Sequence, residues 1–158
     1  MSFRISGLPA SSFTSLYDLS DAELAARGVE RLIAESKPGA PCRVSLEDAE
    51  PGERLLLLNY EHQSAATPYR SCHAIFVREG AVEARPEVGE TPEALRIRPL
   101  SVRSFDLRGR MLDADLTDGH RLEPLIERLF AAPAAAYLHV HYARRGCYAA
   151  RVDRAPSA

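Results

Sequence analysis

The stretch from Tyr137 to Val152, Y-L-H-V-H-Y-A-R-R-G-C-Y-A-A-R-V, constrains the fold of this chain more than any other. Two alternating runs flank Arg144-Arg145-Gly146, so it reads as a β-hairpin. A three-residue hairpin loop needs left-handed backbone at its last position, which glycine takes at no steric cost. That loop pairs Ala143 with Cys147, Tyr142 with Tyr148 and Val140 with Ala150. Cross-strand partners share a face, and faces alternate along a strand. One face then carries Leu138, Val140, Tyr142, Tyr148, Ala150 and Val152. The other carries His139, His141, Ala143, Cys147, Ala149 and Arg151. A two-residue loop would mix the two characters, so the pattern selects the three-residue register. The expected result is one surface bearing two imidazoles, a thiol and a guanidinium.

The rest of the chain supplies a sheet and helices to go with this hairpin. Phe3 to Ile5 reads as a short strand and Ser12 to Tyr17 as a helical turn. Ser20 and Glu23 have capping-box spacing, with Leu19 and Leu24 as a hydrophobic staple and Gly28 as a C-terminal cap, which predicts a helix over Asp21 to Arg27. Val29 to Glu35 is an expected strand, and the Pro-Gly chemistry of 36–41 is a loop. Cys42 to Leu46 reads as a short extended piece. Four leucines between Arg54 and Tyr60 predict a strand buried on both faces, and Arg70 to Arg78 its hairpin partner. Glu61 to Tyr69 reads as a polar loop. Pro99 argues against a regular central strand, so Ala94 to Phe105 is expected as two bent extended pieces. Arg110 to Leu116 is a further strand. Leu122, Leu125, Ile126, Leu129 and Phe130 recur at helical spacing, with Pro124 tolerable in the first turn. The fold class is α+β: a single domain over 1–153, with a largely antiparallel sheet built from hairpins and two or three helices packed on it. Residues 154–158 are an expected disordered tail. Leu55, Leu57, Ile75, Phe76, Val77, Leu125, Ile126, Leu129 and Val140 are the expected core.

A chain of 158 residues can bury a sizeable core without staples. A net charge of -2 gives no electrostatic case for a nucleic-acid or anionic-membrane partner. No apolar run approaches membrane-spanning or signal-peptide length, and the three cysteines form an odd set, so a cytoplasmic setting with free thiols is expected. Lys37 is the sole lysine among twenty basic residues. The arginines that replace lysine are well suited to bidentate recognition of carboxylate or phosphate.

Three segments carry a resemblance. S-K-P-G-A-P-C-R-V-S-L-E-D-A-E-P-G-E at 36–53, H-A-I-F-V-R at 73–78, and H-V-H with G-C-Y near the end are similar to a family of small bacterial proteins catalogued as a domain of unknown function. The resemblance spans nearly the whole chain. It implies one complete bacterial domain and brings no catalytic residues with it.

The chemistry-bearing residues fall into small groups. Cys42 sits between Pro41 and Arg43, with Lys37 five residues back, the cationic setting that a reactive cysteine needs. His73, His139 or His141 would be its base; a buried structural thiol is the plainer alternative. His139, His141, Cys147 and Cys42 make a Cys2His2 set, but without the paired-cysteine spacing of structural zinc sites, so no metal and no cofactor is expected. Arg96, Arg98 and Arg103, with Arg43 and Arg151, are either an anion pocket or a solvated strand face. Asp113 and Asp115 alternate as a carboxylate pair would, although the adjoining Asp118-Gly119 turn suits a polar edge better. No nucleotide-binding, nucleophile-elbow or nucleic-acid motif is present. The leading expectation is a small, anionic ligand held between the loop before Cys42 and the last hairpin, with Cys42, Arg43, His139, His141 and Cys147 as site residues. A thiol-dependent enzyme using Cys42 and a histidine, and a homodimer-forming interaction domain, are the alternatives.

Overall fold

Local signals near the N-terminus fold as written. The structure, a computed structural model, describes residues 2–156. Helix α1, Asp21–Ala25, begins with a complete capping box: the Ser20 hydroxyl accepts from the Glu23 N–H, and the Glu23 carboxylate accepts from the Ser20 N–H. Gly28 follows at φ +70°, and Leu24 is fully buried.

The strands form two antiparallel sheets where one was expected. Sheet one has five strands in the order β1 (Phe3–Ser6), β8 (Tyr148–Arg154), β7 (Tyr137–Tyr142), β5 (Pro99–Phe105) and β6 (Met111–Asp118). Sheet two has the order β2 (Glu30–Ile33), β3 (Arg54–Gln63) and β4 (Ser71–Arg78). The leucine-rich β3 is central in its sheet, as its two-faced apolar character required. It runs to Gln63, three residues into the expected polar loop. Arg154, expected in the tail, closes β8 opposite Phe3. Ser157 and Ala158 of that tail lie outside the described residues.

Two further expectations are corrected. Pro99 is the first residue of β5, and β5 is interior to its sheet, between β7 and β6. The first position of a strand is one of the few that tolerates proline. The residues before it form the short helix α2, Glu93–Arg96. Cys42 to Leu46 is a tight turn and not an extended piece: the Leu46 N–H donates to the Cys42 carbonyl, and Leu46 adopts φ +55°.

Helix α3, Leu122–Phe130, buries all five of its periodic apolar residues against one face of the five-stranded sheet. Leu100, Val102, Leu138, Val140 and Val152 meet it there. Burial of each such side chain contributes about 1.5–3 kcal/mol. A second core joins Leu56, Leu58, Ile75 and Val77 of sheet two to Leu24, Cys42, Val44 and Tyr148. Leu57 and Phe76, expected in the core, are only half-buried. They are cross-strand partners on the opposite face of sheet two, where Phe76 packs against the small Ala34, Ala40 and Ala49.

Candidate functional site

The hairpin register near the turn differs from the sequence expectation, and the difference redistributes every candidate side chain. Leu138 pairs with Val152, His139 with Arg151 and Val140 with Ala150, as expected. The pairing then slips by one: His141 faces Tyr148, and Ala149 is the extra residue of a β-bulge. The Tyr142 N–H donates to the Cys147 carbonyl, and the Gly146 N–H donates to the Tyr142 carbonyl. The loop is therefore Ala143-Arg144-Arg145-Gly146, one residue longer than expected, with Gly146 at φ +80°. A bulge reverses the facing of every residue between it and the turn. Cys147 moves to the face of Tyr142 and Tyr148 to the face of His141. The expected surface joining His139 and His141 to Cys147 does not exist.

Cys147 instead ends one wall of a cavity of about 300 Å³. The cavity lies between the loop at Gly39 and Pro41 and the hairpin turn. Arg43, Arg98, Arg144 and Arg145 all line it. Arg43 is 2% exposed, and its donors go to the Tyr148 carbonyl at 2.7 Å, the Pro41 carbonyl and Cys147 Sγ at 3.0 Å. Among the described residues no carboxylate pairs with it. The tight turn after Cys42 sets this position, because the Arg43 N–H is anchored to the Phe76 carbonyl of β4. Arg98 is held by both oxygens of the buried Asp48 carboxylate. Both guanidiniums lie over the Tyr142 ring, with their Cζ atoms 4.9 and 5.2 Å from its centroid. Burial pushes its hydroxyl up to about 12, so it stays neutral. Arg144 and Arg145 are exposed on the turn and form no ion pair or hydrogen bond among the described residues.

The histidines lie on the other face, in a seam between the two sheets. His62 of β3 faces His141 with ring centroids 4.9 Å apart and His139 at 6.1 Å, and it stacks on Tyr148 at 5.5 Å. His141 Nδ1 lies 2.9 Å from the Gly146 carbonyl; only a donor satisfies a carbonyl, so its Nε2 is the bare nitrogen. That atom, His62 Nδ1 and His139 Nδ1 are buried without a protein partner. Burial, reinforced by Arg103 and His73, lowers His62 to about 4, and burial, reinforced by His141, His62, Arg151 and Arg103, lowers His139 to about 3. Burial likewise lowers His141 to about 3. All three are neutral at pH 7. Among the described residues no three of His, Cys, Asp and Glu are arranged to hold a metal ion.

The remaining candidates separate. Cys42 is 1% exposed in the second core, where its sulfur accepts the Arg78 N–H at 3.2 Å; no described hydrogen bond joins it to a histidine. Arg96 pairs with Glu123, and Arg151 pairs with Asp153 over the Tyr137 ring. Arg103 is half-buried on the histidine face, and desolvation lowers it. Asp113 and Asp115 are exposed on edge strand β6; both pair with Arg128, and each accepts the N–H of the residue after it. Of the five arginines considered for an anion pocket, Arg43 and Arg98 reach the cavity. The sequence marks Arg144 and Arg145 only as turn residues, and their visible signal is two adjacent cations beside a turn glycine. His62 has none, since its segment reads as a loop.

Fold and site together define an α+β domain with an arginine-lined cavity at the end of its last hairpin. The model of the family described as Protein of unknown function (DUF1203) matches residues 39–154, and the chain belongs to that family. Both walls of the cavity, from Gly39 to Cys147, fall within the match. No curated protein and no solved structure matches the chain. Among the described residues no helix is long and apolar enough to cross a membrane.

Proposed function

We propose that this protein binds a small anion in the cavity between the 39–41 loop and the hairpin turn. One observation carries the reading: four guanidiniums converge there against the single carboxylate of Asp48. A guanidinium buried with no carboxylate partner is costly unless another anion compensates it. Arg43 and Arg98 are rigidly held, and rigid donors lose little freedom when they receive an oxyanion. Arg144 and Arg145 are free to close over it from the turn. The histidines of the seam take no part, being on the other face.

The two alternatives have less behind them. A thiol-dependent reaction at Cys42 lacks a histidine bonded to the sulfur, and the sulfur is enclosed by core side chains. Homodimer formation through β6 meets an edge whose Ala114 and Leu116 amides are already occupied by Asp113 and Asp115. Free Cys42, Cys72 and Cys147 suit a reducing compartment such as the cytoplasm.

Titration calorimetry with inorganic phosphate at low ionic strength tests the proposal. The expected outcome is saturable binding that weakens as salt is added. The double variant Arg144→Ala/Arg145→Ala should weaken it at least about tenfold while shifting stability by no more than about 0.5 kcal/mol, as usual for exposed positions. Undiminished binding by that variant would place the anion elsewhere.

A further inference from the structure

The cavity has an apolar part of its lining that a bare oxyanion would leave unused. Beside the guanidiniums it is lined by the half-buried Phe76, Ile97, Pro41 and Pro99. Ile97 is 39% exposed although it sits between two ordered elements, α2 and β5. Phe76 belongs to a strand whose neighbours Ile75 and Val77 are 1% and 0% exposed, yet its own ring is incompletely covered by Ala34, Ala40 and Ala49. The volume of about 300 Å³ equals that of about ten liquid waters and stands at the lower end of metabolite-sized sites. Such sites have mostly apolar walls and a few placed polar groups that fix orientation.

We infer that the ligand is an amphipathic anion, with an apolar body of about the size of one ring against Phe76 and Ile97 and a single carboxylate or phosphate group on the arginines. The inference rests on the anion-binding reading of the same cavity and adds the chemistry of the other half of the molecule. Tyr142 marks the boundary, its ring covered by Arg43 and Arg98. A ligand ring is held on the apolar side and its oxyanion is directed toward Arg144 and Arg145. Carboxylate and phosphate satisfy the same guanidinium fork, so the two are separated by measurement.

The test compares four probes on the full chain by titration calorimetry: inorganic phosphate, phenyl phosphate, phenylacetate and benzyl alcohol. The wild type is measured beside Ile97→Ser, a change at an exposed position that leaves the core intact. A ring buried against this apolar lining should make phenyl phosphate or phenylacetate at least about tenfold tighter than inorganic phosphate. Whichever of the two is tighter identifies the oxyanion, and either result upholds the inference. Ile97→Ser should narrow that gap several-fold. Equal affinity for inorganic phosphate and both ring-bearing anions overturns the amphipathic inference while leaving anion binding in place. Benzyl alcohol binding as tightly as the anions, or no probe binding at all, overturns the anion reading and this inference with it.

Discussion

His141 and Tyr142 are adjacent in β7, yet they belong to two regions that treat charge in opposite ways. Tyr142 faces the cavity, which four guanidiniums line. His141 faces the seam, where three imidazoles are neutral. Burial alone does not separate them, since Arg43 is 2% exposed and His141 1%. What differs is the supply of acceptors and the cost of losing a proton. Arg43 finds two carbonyls and a sulfur for its donors, and a guanidinium cannot shed its proton at accessible pH. The seam offers the Gly146 carbonyl to His141 and the Ser71 hydroxyl to His62, and otherwise aromatic rings, other imidazoles and the Arg103 guanidinium, so the histidines give up their charge. Two buried regions of one hairpin are thus tuned by side-chain chemistry and not by depth.

The sharpest way to break this comparison is Arg43→Ala. It leaves the Tyr148 and Pro41 carbonyls buried without their donor and empties space beside Tyr142. Hydrogen bonds from a charged donor are worth roughly 1.5–3 kcal/mol each, so a loss of about 3–5 kcal/mol is expected in urea unfolding. A loss under about 1 kcal/mol would mean that Arg43 does not hold the loop to the hairpin.

Acid titration addresses the seam. The folded pKa values of His139 and His141, about 3, lie below the unfolded value of about 6.5. The unfolded chain therefore binds more protons between those limits. The neutral histidines contribute stability that is fully present above about pH 6.5 and is lost as pH falls toward their folded pKa values. Between pH 6.5 and 4.5 the two should cost about 4 kcal/mol together. His62, at about 4, titrates over the same range, so the variant His139→Phe should lose about a third of the slope in stability measured against pH. An unchanged slope would show that His139 is not the neutral buried group described.

The turn itself comes next in size. Gly146→Val places a β-branched residue at φ +80° and should cost about 1–3 kcal/mol. It should also loosen the anion site, because Arg144 and Arg145 share that turn; an unaltered melting temperature would contradict the turn geometry. The smallest effect is expected at the sheet edge. Asp113→Thr/Asp115→Thr frees the outward amides of Ala114 and Leu116 and removes exposed pairs with Arg128, each worth about 0–1 kcal/mol. Monomer stability should hardly change, while light scattering should show new association through the unguarded strand. A strictly monomeric double variant would remove that protective role.

Much of the fold was legible because its signals are local. The capping box at Ser20, the five-position stripe of α3 and the double-faced leucines of β3 each depend on spacing within one element. Periodicity also identified the two strands of the last hairpin and the alternation of its distal half. Where the sequence reading failed, the deciding contacts join distant parts of the chain. Pro99 could start an interior strand because β6 and β7 flank the residues after it. The split into two sheets follows from which strands pair, β1 with β8 and β5 with β7 in one and β2 with β3 in the other, and no alternation pattern records that choice.

The site divides in the same way. Sequence by itself determined that a loop rich in proline and glycine precedes Cys42-Arg43, that a glycine turn carries Arg144 and Arg145, and that His139 and His141 share a face. Only the tertiary structure decided that Cys147 belongs with Arg43 and not with those histidines. The reason is the bulge at Ala149: one additional residue costs little along the strand but reverses every side chain between it and the turn. The hairpin's own alternation favours the uninterrupted register, and tertiary contacts override it. Packing makes the choice, since Tyr148 fills the seam against Tyr60 and His62 while its carbonyl accepts the Arg43 guanidinium.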